Sequence, residues 1–147
     1  MALSSWHARS HRGAAYIYLY LNENWELLGQ PLFGKNPNDE FGCSVSLSED
    51  ATTLAVGSWR EDATLDRPIY TQVSRLGENR TQWQQLGNGT ERVDPQGGAI
   101  YVEFGLVLAL SGDGNELAMG SMYEMSEAGK SNAGAVTVYR FEKFSST

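Results

Sequence analysis

Phe41-Gly42-Cys43-Ser44-Val45-Ser46-Leu47-Ser48 is answered 63 positions later by Phe104-Gly105-Leu106-Val107-Leu108-Ala109-Leu110-Ser111. The same interval carries Leu54-Ala55-Val56-Gly57-Ser58 to Leu117-Ala118-Met119-Gly120-Ser121, so a two-strand unit and its turn recur without insertion. Working outward, Trp25-Glu26-Leu27-Leu28-Gly29 returns 58 positions on as Trp83-Gln84-Gln85-Leu86-Gly87. Gly13-Ala14-Ala15-Tyr16-Ile17-Tyr18 returns two periods on, 121 positions away, as Gly134-Ala135-Val136-Thr137-Val138-Tyr139. A repeat of about 60 residues thus accounts for nearly everything after Arg12, and self-similarity at a fixed period marks a repeat architecture.

Within each unit the apolar positions alternate. Cys43, Val45 and Leu47 are separated by Ser44 and Ser46, the period of two of a strand with unlike faces. Ser48-Glu49-Asp50-Ala51-Thr52 and Ser111-Gly112-Asp113-Gly114-Asn115 supply turn chemistry before the return strands, Leu54 to Gly57 and Leu117 to Gly120. Val136 to Phe141 and Tyr16 to Leu21 alternate again, and the Trp-x-x-Leu-Gly segments close each unit as an outer strand. With the four strands lettered A to D, the chain reads C-D, A-B-C-D, A-B-C, about nine strands in all. No window sustains apolar residues at helical spacing.

The fold class expected is all-β: antiparallel four-stranded propeller blades, in an incomplete β-propeller. Residues 13–33 supply strands C and D of one blade, 41–88 a full blade, and 98–141 strands A, B and C of the next, with 1–12 as a disordered leader. The C strand from Tyr70 to Leu76 follows Pro68 and is expected to be short or bulged. The run Gly97-Gly98-Ala99-Ile100-Tyr101-Val102 departs from the pattern before Phe104, as a deletion near residue 98 or an extended A strand would produce. Propellers close with about four to eight blades. A chain of this length is therefore expected to be partial, or to complete its core with another copy or a longer protein, and to be poorly soluble or oligomeric alone.

The motifs together, Asp39-Glu40-Phe41-Gly42 through Ser58 above all, resemble FG-GAP repeats, the blades of integrin-α-like propellers. The resemblance covers about residues 13 to 141. It implies a binding or adhesion scaffold that mediates protein interaction, often extracellular or membrane-attached, with calcium held in the hairpin loops of some blades. Calcium takes six to eight oxygen ligands. Asp50 and Asp113, beside Ser48, Glu49, Ser111 and Asn115, are too few for that array and read as turn residues, so no metal ligand and no cofactor is expected.

Composition narrows the range of partners. A net charge of -7 with only 11 Lys and Arg argues against a nucleic-acid partner. No apolar run is long enough for a membrane-spanning helix, and the first residues lack the apolar core of a signal peptide. Cys43 is the single cysteine and reads as a small buried hydrophobe. The compartment stays open.

Catalytic chemistry is sparse, and no enzyme is expected. His7 and His11 are the two histidines; both precede the repeats and read as solvated tail residues. The carboxylate pairs Glu61-Asp62 and Asp39-Glu40 sit in turns, where acids are ordinarily solvated. Trp25 and Trp83 share one repeat position, which favours packing between sheets over ligand stacking. Trp59 and Arg60, in a loop after Gly57-Ser58, form the one candidate interaction patch. Asn79-Arg80-Thr81 and Asn88-Gly89-Thr90 are glycosylation sequons, meaningful only for a secreted chain. The partners expected are a protein, or further blades of this or another chain, with self-association included. The alternatives are a structural repeat segment with no ligand of its own and a propeller-type hydrolase.

Overall fold

The computed structural model describes residues 1–59, 69–87, 89–92, 107–121 and 134–141. Over these residues the chain is mostly β and forms three antiparallel sheets. The first sheet holds β1 (Ala2–Ser5), β2 (Ala14–Leu21), β3 (Asn24–Leu27) and β4 (Leu32–Phe33). In the second, β5 (Ser44–Leu47), β6 (Thr53–Gly57), β7 (Ile69–Leu76) and β8 (Trp83–Gln85) follow one another in sequence order, and β9 (Thr90–Arg92) also pairs β7. The third is β10 (Val107–Leu110), β11 (Glu116–Ser121) and β12 (Ala135–Arg140), again in sequence order.

Twelve strands are therefore described where about nine are expected, and the additions are β1, β4 and β9. Residues 1–12 are not a disordered leader: β1 pairs antiparallel with β2 along Ala2–Ile17 to Ser5–Ala14. Backbone hydrogen bonding to an otherwise open edge of β2 orders it. The strand after Pro68 is neither short nor bulged. It runs eight residues and is bonded on both edges, to β6 on one side and to β8 and β9 on the other. Pro68 itself, the run at 97–102 and the second Phe-Gly pair at 104–105 lie outside the described residues.

Alternation decides which neighbour each sheet meets, because successive strand residues point to opposite faces. Leu54 and Val56 of β6 join Ile17, Leu28 and Leu32 of the first sheet in one core cluster. Between them, Ala55 turns the other way and meets Leu117 and Met119 of the third sheet, with Val73 beside it. The middle sheet is thus covered on both faces. Its A-type strand also touches the third sheet through a hydrogen bond from the Leu110 N–H to Ser46 Oγ at 2.9 Å.

The A–B turns recur atom for atom. Ser48 Oγ donates to Asp50 Oδ1 at 2.7 Å and accepts the Thr53 N–H at 2.9 Å. Ser111 Oγ likewise donates to Asp113 Oδ1 at 2.6 Å and accepts the Glu116 N–H at 2.9 Å. Ahead of β5, Phe41 is fully buried and forms a parallel bridge with Gly13, joining the first two sheets. A Cβ at Gly13 would come within 2.1 Å of the Phe41 carbonyl oxygen, so only glycine permits this approach.

Candidate functional site

The segment between β4 and β5 is tied down by one buried carboxylate. Asp39 Oδ2 accepts the Asn36 N–H at 2.7 Å and the Tyr70 hydroxyl at 3.0 Å. That hydroxyl in turn accepts the Lys35 N–H at 2.9 Å, while the Lys35 ammonium lies 4.5 Å from the Tyr70 ring centroid. Burial, with the Asp39 charge adding to it, pushes the Tyr70 phenol well above its usual range. Asp39 is therefore a loop lock and not a solvated turn acid, since satisfied buried carboxylates hold backbone geometry.

Glu40, the next residue, is 4% exposed and sits at a left-handed φ of 46°. Its N–H donates to the His11 carbonyl at 2.8 Å, and its Oε1 lies 3.7 Å from His11 Nδ1. His11 belongs to a four-residue turn, Ala8–His11, in which Arg9, Ser10 and His11 take φ values of 53°, 57° and 60°. This left-handed turn brings the His7 ring to 4.4 Å from the His11 ring, centroid to centroid, and Trp6 covers His7 at 3.7 Å. One nitrogen of each imidazole and a Glu40 oxygen all lie within 4.8 Å of one another. With a protonated imidazole this group is an ion pair; with neutral rings it offers two nitrogen lone pairs and a carboxylate oxygen.

Trp59 lies close by in the chain's packing: it is half-buried, and its N–H donates to the Asp39 carbonyl at 3.1 Å. Arg60, the other half of the expected patch, lies outside the described residues, as do Glu61, Asp62 and Asn88. Asn79 is exposed in a turn and accepts the Thr81 N–H at 3.2 Å. Trp83 is buried between sheets and donates from Nε1 to the Leu28 carbonyl at 2.8 Å. Trp25 departs from the packing role expected of it. It is 55% exposed against Tyr20, because it stands on the face of the first sheet turned away from the second.

The hairpin loops do not fit the calcium that the resemblance implies. Asp50 accepts hydrogen bonds from Ser48 Oγ, Thr52 N and Thr52 Oγ1, which hold its carboxyl below the usual range, Ser48 first. Asp113 is engaged in the same way by Ser111 Oγ, Asn115 N and Asn115 Nδ2. Each loop offers one aspartate already committed to its own turn, far from a six-to-eight oxygen cage. Sequence reasoning missed the His7–His11–Glu40 group because it set the histidines aside as tail residues. No protein-family model matches the chain, and no curated protein matches it.

Proposed function

We propose that the chain is a non-enzymatic binding scaffold of FG-GAP-like propeller blades whose partner is another set of the same blades, in the first instance a second copy. One observation carries this reading: each internal sheet interface sets one kind of face on another, and both kinds are left exposed at the ends. The middle sheet presents the rows Ser44–Gly57–Thr71 and Ser46–Ala55–Val73 to the third sheet. The third sheet presents the equivalent rows, Val107–Gly120–Val136 and Ala109–Ala118–Val138, on its outer face. There Val107, Val136 and Val138 are 65%, 75% and 62% exposed.

At the other end the first sheet exposes Leu3, Tyr20, Trp25 and Leu27. By strand position, Leu3, Tyr20 and Trp25 stand where the middle sheet has Val56, Leu76 and Trp83, three residues buried beneath the first sheet. Exposed apolar patches of this kind mark interaction surfaces. A small, β-branched face meeting an aromatic-rich one continues the internal stacking, and two copies carry six such sheets, within the roughly four to eight blades of a closed propeller.

Sedimentation velocity of the untagged chain tests the reading. Two copies closed head to tail give a discrete species of twice the chain mass that dissociates on dilution. A chain that stays monomeric at concentrations of about 100 μM, where even weak specific interfaces assemble, overturns it.

A further inference from the structure

We propose that His7, His11 and Glu40 form a binding site for one divalent cation of the zinc class. Two imidazole nitrogens and a carboxylate oxygen are a donor set that Zn2+ favours, whereas the hard cations Ca2+ and Mg2+ take oxygen alone. The three donor atoms already lie within 4.8 Å of one another. Ligands at tetrahedral angles and at Zn2+ bond lengths stand about 3.4 Å apart, so closure needs side-chain movements of about an ångström. Both histidines are exposed, with the His7 ring against those of Trp6 and His11, while Glu40 is buried and its backbone N–H is bonded to the His11 carbonyl. The site therefore combines one buried ligand with two exposed ones.

The backbone supports this assignment. Left-handed φ is disfavoured for residues that carry a Cβ. Three such residues in succession, Arg9, Ser10 and His11, make the turn that sets both rings beside Glu40, whose own φ is also positive. A bound ion would clamp residues 7–11 to the loop that carries Asp39 and Glu40.

The test uses the untagged full chain, freed of metal with EDTA and titrated with ZnCl2 against a chromophoric chelator. The expected result is uptake of one ion per chain, a rise in melting temperature with Zn2+, and a CoCl2 visible spectrum typical of tetrahedral coordination. CaCl2 at millimolar concentration should leave the melting temperature unchanged. His7→Ala and His11→Ala should each weaken Zn2+ binding at least about tenfold, the lower end of what even outer-sphere partners of a metal contribute. Both positions are exposed, so these variants keep their fold, whereas Glu40→Gln is read only alongside its circular dichroism spectrum. Failure to take up zinc, equal stabilisation by calcium, or wild-type affinity in the His7→Ala, His11→Ala double variant overturns the proposal.

Discussion

Ala55 lies directly across from Val73 in the middle sheet, and the pair occurs three times: as Ala2 across from Ile17, Ala55 from Val73, and Ala118 from Val138. The three copies share a register but not an environment. Val73 is 3% exposed beneath the third sheet, and Val138 is 62% exposed. Val73→Ala is expected to lower the unfolding free energy by about 2 kcal/mol through lost burial and a residual cavity. Val138→Ala should change it by less than about 0.5 kcal/mol. Urea denaturation at dilutions that keep the chain monomeric measures both, and equal costs would contradict the stacking order of the sheets.

Gly13 and Gly87 separate two reasons for a glycine. Both have positive φ, 82° and 60°, but a Cβ at Gly13 strikes the Phe41 backbone while one at Gly87 meets nothing within 4 Å. Gly87→Ala is expected to cost about 1 kcal/mol, the left-handed penalty alone. Gly13→Ala must also move backbone at the bridge between two sheets and should cost at least about 3 kcal/mol or prevent folding. The difference between the two variants in thermal melting reads out the Gly13–Phe41 contact.

What the sequence disclosed follows from where the information lies. Ordered hairpins such as β5–β6 and β10–β11 were legible because alternation and a constant 63-residue offset repeat local chemistry. β1 was not, although Ala2, Ser5 and Trp6 match Ala55, Ser58 and Trp59 at one offset, because four residues without a following turn carry little periodic signal. β4 and β9 are short ladders fixed by their neighbour and have almost no pattern of their own. The His7–His11–Glu40 group was invisible for a different reason: it joins a non-repeated turn to a repeat motif across 29 positions, and only the left-handed backbone closes that gap. Trp25 and Trp83 share a repeat position but differ in burial, since position in a repeat does not reveal whether a neighbouring sheet is present.

Cys43 gives the chain a predictable response to alkali. Burial pushes its thiol up to about 11, with smaller opposing contributions from hydrogen bonding at Ser44. A raised folded-state value means that the native state holds its proton more tightly than the unfolded chain. The thiol's contribution is thus complete below about pH 9 and is lost as the pH rises toward 11, roughly 2 kcal/mol in all. Tyr70 shifts in the same direction and extends the decline to higher pH. Denaturation midpoints between pH 8 and 11 should fall in the wild type and fall less in Cys43→Ala. Alkylation of the native thiol at pH 8 should be slow until the chain is unfolded, because the thiolate is the reacting form.

The direction of self-association is open to a mixing experiment. Val136→Lys with Val138→Lys spoils the outer face of the third sheet, and Leu3→Lys with Trp25→Lys spoils that of the first; all four positions are exposed, so neither variant loses buried contacts. If unlike faces meet, each variant alone is monomeric, because a blocked face in every copy breaks both junctions of the closed pair. Mixed together, the variants retain one intact face of each kind and should form a one-to-one complex joined by a single junction, weaker than the wild-type pair. If like faces met instead, each variant would still dimerise through its untouched face, and mixing would add nothing. Sedimentation equilibrium of the two variants, separately and at equal concentration, distinguishes these outcomes, and a monomeric mixture would remove the basis for stacking between copies altogether.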